Sequence, residues 1–79
     1  MFELKGHSKD VNYLTLLKDG RLASSSDDET IRIWNLTTGQ TVRILSGHTT
    51  PVYYVVELSD GRLASGSFDS TIMIWDKIN

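Results

Sequence analysis

Apolar residues come in short bursts of four to seven positions, separated by compact polar stretches, with no helical period long enough to compete. Val11-Asn12-Tyr13-Leu14-Thr15-Leu16, Leu22-Ala23-Ser24 and Ile31-Arg32-Ile33-Trp34 are examples, rich in the β-branched, aromatic and hydroxyl side chains that suit a pleated surface. Turn chemistry punctuates them at Gly6-His7-Ser8, Asp19-Gly20, Asp27-Asp28-Glu29, Thr37-Thr38-Gly39, Gly47-His48, Asp60-Gly61 and Phe68-Asp69-Ser70. Such punctuation every eight to twelve residues marks short strands. The pattern predicts strands near 2–5, 11–17, 21–26, 31–36, 41–45, 52–58, 62–67 and 71–77. Segments 11–17 and 52–58 are apolar on both alternating faces, with Val52, Tyr54, Val56 and Leu58 on one side and Tyr53 and Val55 on the other. Both are expected to be covered on two sides.

The pattern also repeats. A shift of 41 places lays Leu4-Lys5-Gly6-His7 on Leu45-Ser46-Gly47-His48, and Asp19-Gly20-Arg21-Leu22-Ala23-Ser24 on Asp60-Gly61-Arg62-Leu63-Ala64-Ser65. It also lays Asp28-Glu29-Thr30-Ile31-Arg32-Ile33-Trp34 on Asp69-Ser70-Thr71-Ile72-Met73-Ile74-Trp75. Of the 38 overlapping positions 18 are identical without a gap, which excludes chance. The fold class is all-β, built from two four-stranded units. A self-contained eight-stranded sandwich accounts for the pattern less well, because its halves would not need the same turn chemistry.

Composition sharpens this. A chain of 79 residues buries only ~60% of the surface it exposes when unfolded, and domains of that size usually need a disulfide, a metal or a partner. There is no cysteine, and His7 and His48 are the two imidazoles, so neither a disulfide nor an ordinary zinc site is available and a partner becomes the expected staple. No metal or other cofactor is expected. Eight Lys and Arg are interleaved with ten Asp and Glu, so no basic stripe follows a phosphate backbone and nucleic acid is not an expected partner. Apolar runs of about five residues are far short of the ~20 that span a bilayer, and Phe2-Glu3-Leu4-Lys5 is unlike a signal segment. The expectation is a cytoplasmic protein without a membrane partner.

Gly6-His7 to Trp34-Asn35 and Gly47-His48 to Trp75-Asp76, with Asp-Gly-Arg-Leu-Ala-Ser and Asp-x-Thr-Ile-x-Ile-Trp between them, resemble the WD-repeat β-propeller family along the entire chain. One repeat of that family makes one four-stranded antiparallel blade. Asn35 stands where the family usually has Asp. The resemblance implies a buried hydrogen-bonded tetrad in each blade: His7, Ser24, Asp28 and Trp34, then His48, Ser65, Asp69 and Trp75. The chemistry is coherent by itself, because a buried indole N–H and a buried imidazole each need a partner that a hydroxyl and a carboxylate supply. A hydrolase triad does not fit: each set carries a Trp, the set occurs twice, and neither serine sits in a Gly-x-Ser-x-Gly elbow. Asn35-Leu36-Thr37 matches a glycosylation sequon and is read as coincidence.

In the family, Gly-His connects the outermost strand of one blade to the innermost strand of the next. The resemblance therefore implies that residues 1–5 are an outer strand donated to a neighbouring chain, residues 6–46 a complete blade, and residues 47–79 a second blade lacking its outer strand. Propellers usually need four to eight blades, so two blades close a ring only with further copies, joined head to tail with strand exchange. Four chains giving eight blades is the first choice and three giving six the second, since seven blades turn by about 51° each, eight by about 45° and six by about 60°.

The family implies a non-enzymatic platform for proteins or peptides, read at positions near the Gly-His turn. Here these are Asp10, Asn12 and Asp27 in one blade and Pro51, Tyr53 and Phe68 in the other, an acidic and an aromatic sector suited to a basic segment with apolar anchors. Two alternatives stand beside it. One is a structural fragment or ancestral-like propeller unit with no dedicated partner. The other is a propeller binding a small ligand or carbohydrate, for which the sequence offers no metal set and no phosphate loop.

Overall fold

A computed structural model describes residues 3–76. Seven strands run in chain order: β1 (Val11–Leu16), β2 (Leu22–Ser26), β3 (Thr30–Asn35), β4 (Gln40–Ser46), β5 (Val52–Glu57), β6 (Leu63–Ser67) and β7 (Ile72–Trp75). They form two antiparallel meanders, a four-stranded sheet ordered β1-β2-β3-β4 and a three-stranded sheet ordered β5-β6-β7. Among the described residues no helix is long and apolar enough to cross a membrane.

The recurring Asp-Gly-Arg motif earns its place in the first turn of each sheet. Gly20 and Gly61 sit at φ 94° and 92°, where a side chain would be strained, and donate to the carbonyls of Leu17 and Leu58, both at 3.0 Å. Asp19 accepts from the Arg21 backbone N–H and Nε, and Asp60 does the same for Arg62. Asn35 closes the β3–β4 turn by accepting from the N–H groups of Thr37 and Thr38 at 2.8 and 3.1 Å. That task needs only a side-chain oxygen, so Asn serves where the family has Asp.

The sheets stack through β5, which lies across β1, β2 and the near part of β3. Ala23, Ile31, Ile33 and Leu45 of the first sheet meet Val52, Val55 and Leu63 of the second, with Leu17 and Trp75 at the margin. The molecule is a slab of 35 × 30 × 15 Å, thin because only two layers are present. Each sheet thus has a leading face, which in the second sheet is packed on the first, and a trailing face, which in the first sheet is packed on the second. Burial at equivalent positions follows from this. Val52 and Val55 are 0% exposed on the covered leading face, whereas their counterparts Val11 and Leu14 on the open leading face of the first sheet are 50% and 56% exposed.

Two expectations change here. Strands 11–17 and 52–58 were to be covered on both sides; in the single chain β1 keeps Val11, Leu14 and Leu16 in solvent and β5 keeps Tyr54 and Val56 there, because two layers make one seam. A strand was expected at 2–5; Glu3, Leu4 and Lys5 carry no strand pairing within their own chain, and residue 2 lies outside the described residues, as does the end of strand 71–77 at residue 77.

Candidate functional site

The Gly-His turns lead into β1 and β5, and their histidines reach down onto β2 and β3, or β6 and β7. In the first sheet the Trp34 indole N–H donates to Ser24 Oγ at 2.8 Å, Ser24 Oγ meets His7 Nε2 at 2.6 Å, and His7 Nδ1 meets Asp28 Oδ2 at 2.8 Å. Every group is satisfied if the Ser24 hydroxyl donates to Nε2 and the Nδ1–H of a neutral imidazole donates to the carboxylate. Burial is the largest influence on Asp28 and raises its pKa, but hydrogen bonds from the Thr30 hydroxyl, His7 and the backbone N–H groups of Ser8 and Thr30 outweigh it and bring the carboxyl down to about 2.

The second sheet holds the same residues with one link altered. Trp75 Nε1 donates to Ser65 Oγ at 2.8 Å and His48 Nε2 meets Ser65 Oγ at 2.7 Å. His48 Nδ1 then faces the Thr71 hydroxyl at 3.5 Å, while Asp69 accepts from the Thr71 backbone N–H at 2.9 Å and the Thr49 hydroxyl at 3.4 Å. Asp69 is exposed, and the Thr71 hydroxyl and backbone N–H lower its pKa. The first set is paired throughout and the second through Trp75, Ser65 and His48, an arrangement that holds turns against strands.

The six candidate contact residues gather on the rim beside these turns. Asp27 N–H donates to the Asp10 carbonyl at 2.9 Å and Phe68 N–H to the Pro51 carbonyl at 3.1 Å, so each sheet brings its two loops together in the same way. Asn12 Nδ2 donates to Asp27 Oδ1 at 2.8 Å and to the Val52 carbonyl at 2.9 Å, which ties the first sheet's loops to the start of β5. Its amide hydrogens are therefore engaged within the chain. One residue on, Tyr53 stands perpendicular to Phe68, with ring centroids 6.1 Å apart, and Phe68 is 68% exposed. The Asn12 amide thus joins the carboxylate of Asp27 to the backbone just before Tyr53, and Asn12 and Tyr53 line one cleft. Among the described residues no group of three or more His, Cys, Asp or Glu converges as metal ligands would.

Sequence reasoning missed what flanks this rim. Tyr13 and Tyr54 pack edge to face at 5.0 Å across the seam, and with Asn12 and Tyr53 they line a cleft of about 410 Å³. At the far end of the seam, Lys18 donates through its backbone N–H to Glu57 Oε1 at 2.8 Å and through Nζ to the Ser59 carbonyl at 3.0 Å. The available signal was that Tyr13 and Tyr54 are the same residue at equivalent places, whereas Leu16 and Glu57, and Lys18 and Ser59, are not.

The model of the WD domain, G-beta repeat, matches residues 1–35 and again 39–76. The chain belongs to the WD-repeat family. The human apoptotic protease-activating factor 1 is 47% identical over 36 residues, 46% of this chain and 3% of that protein. The chain thus spans a small fraction of the length of that curated relative. WD repeats in general build non-enzymatic surfaces for protein interaction, and the two sheets here are consistent with two of their blades.

Proposed function

We propose that this chain is a non-enzymatic WD-repeat scaffold that binds a protein or peptide on the rim formed by Asp10, Asn12, Asp27, Pro51, Tyr53 and Phe68. The observation that carries the reading is the perpendicular, solvent-facing Tyr53–Phe68 pair, next in sequence to Val52, whose carbonyl accepts from the same Asn12 amide that holds the carboxylate of Asp27. Exposed aromatic rings beside a fixed negative charge suit a basic side chain next to an apolar anchor, because a cation gains from both ring face and carboxylate. Asn12 then acts as the spacer that sets the distance between the two sectors.

The propeller in this reading is completed by copies of the chain, joined head to tail, with residues 1–5 of one copy added to the edge of β7 in the next. Repeat register supports it: Leu4 is equivalent to Leu45, which lies opposite Ile31 on β3, so an added strand places Leu4 opposite Ile72. Because each chain brings two blades, a closed ring has an even number, eight from four chains before six from three. Rings present several copies of one weak rim site, so a partner with repeated basic segments gains by avidity.

The test is a library of immobilised peptides varied in Lys and Arg content and in apolar residues. The double variant Tyr53→Ala with Phe68→Ala is expected to lose at least about tenfold in binding to basic-apolar peptides, the scale of one interface anchor, with its melting temperature within a few degrees of the parent. Undiminished binding by the double variant, or selection of acidic peptides, contradicts the reading.

A further inference from the structure

The two open faces of the slab are the same two faces that already meet inside it. Across the internal seam, Val52, Val55 and Leu63 on the leading face of the second sheet pack on Ala23, Ile31 and Ile33 on the trailing face of the first. Forty-one places earlier, the leading face of the first sheet carries Val11, Leu14 and Leu22. Forty-one places later, the trailing face of the second carries Ala64, Ile72 and Ile74. Val11, Leu14, Ile72 and Ile74 are all exposed, Ile72 at 74%. Tyr54 and Val56 extend the trailing patch. Leu4, Val11, Leu14 and Leu22 border an open apolar groove of about 540 Å³ on the leading face.

We propose that a second copy of this chain docks its leading face, through Val11, Leu14 and Leu16, onto the trailing face formed by Tyr54, Val56, Ile72 and Ile74, by the geometry of the internal seam. The proposal rests on the ring reading above and adds to it which surfaces meet and what kind of contact they make. Continuity with the existing seam selects the occupant: the two patches are complementary because their equivalents 41 positions away already interlock, and a heterologous contact of this kind leaves one free patch of each type to propagate. Patches of this apolar character on one small chain mark an interaction surface.

The two seams are not alike. Inside the chain, polar contacts reinforce the apolar packing, among them Asn12 Nδ2 to the Val52 carbonyl, Lys18 N–H to Glu57, and Lys18 Nζ to the Ser59 carbonyl. At the seam between copies the corresponding donors are Tyr53 and Ser59, and the residue in the place of Glu57 is Leu16. No side-chain amide or carboxylate stands at those places, and the next copy's Lys18 takes the place of Ser59. What does carry over is the tyrosine pair, since Tyr54 of one copy takes the place of Tyr13 and meets the next copy's Tyr13. The seam between copies thus relies more on apolar and aromatic contact than the seam inside the chain does.

Two exposed substitutions test this. Leu14→Lys blocks the leading face and Ile74→Glu the trailing face, each at a position more than half exposed in the single chain, so the slab itself is retained. The parent chain is expected to show a mass of several chains in light scattering. Each variant alone is expected at the mass of one chain, and an equimolar mixture to regain an assembly of at least two chains, because each variant keeps the face the other has lost. As a second readout that does not depend on the charged variants folding, Leu14→Cys and Ile74→Cys chains mixed under mild oxidation should form at least about tenfold more covalent pair than either alone, from the raised effective concentration at the seam. A parent chain that stays single sinks the ring reading itself. A multi-chain parent whose Ile74→Glu variant keeps the same mass, or whose mixed cysteine chains give no excess of covalent pair, overturns this seam and leaves the ring reading standing.

Discussion

The two histidines do the same job with different support, and that difference is measurable. His7 links Ser24 to Asp28, so His7→Ala leaves the Ser24 hydroxyl and the Asp28 carboxylate each short of a partner. It should cost about 2–3 kcal/mol in urea unfolding at fixed protein concentration. His48 has only the Ser65 bond and a long approach to Thr71, so His48→Ala should cost about 1–2 kcal/mol. Equal costs, or a larger cost at His48, would contradict the described hydrogen bonding. Asp28 adds a pH signature. Its carboxyl falls from 3.8 to about 2 on folding, so between those values the unfolded chain binds more protons. The stability it supplies is full above about pH 5, declines as pH drops through about 4, and is gone below about 2. The melting-temperature gap between the parent and Asp28→Asn should therefore be constant from about pH 7 to 5 and close as pH approaches 2; a constant gap over that whole range would refute the lowered pKa. Which residues form these sets was legible from the resemblance to the WD-repeat family, carried onto both copies of the repeat. That Asp69 turns away to Thr71 and Thr49 was not, because it depends on how a solvent-facing turn settles.

Among elements, the strands were legible where turn chemistry is explicit. Asp-Gly-Arg fixed the β1–β2 and β5–β6 turns, and the predicted strands there fall within a residue or two of the observed ones. The side-chain pattern of β1 and β5 correctly carries two apolar faces, but one of those faces has nothing to meet within the chain. Residues 3–5 lie outside any strand; in the proposed ring they would pair with β7 of a neighbouring copy. The contact between Asn12 and the Val52 carbonyl was not legible, since it joins two sheets whose relative placement the sequence leaves open. At this scale the strand-exchange proposal is tested by deleting residues 1–5. The shortened chain should lose its defined multi-chain mass and precipitate more readily, because the edge of β7 is left bare. A shortened chain of unchanged assembly mass and solubility would show that those residues are not the outer strand.

For the molecule as a whole, the physics is that of an unfinished stack. Two sheets bury one pair of faces completely and leave the other pair open, with Leu16, Tyr54, Phe68, Ile72 and Ile74 in solvent. The proposed rim site, donated strand and apolar seam are separate features, and in the proposed ring each would gain further surroundings from neighbouring blades. The measurement that decides is the absolute molar mass of the 79-residue chain in solution, taken by light scattering across a wide range of concentration. The account predicts a discrete multiple of the 8.9 kDa chain, four copies before three, persisting on dilution. A soluble, cooperatively melting species of 8.9 kDa at every concentration would contradict it.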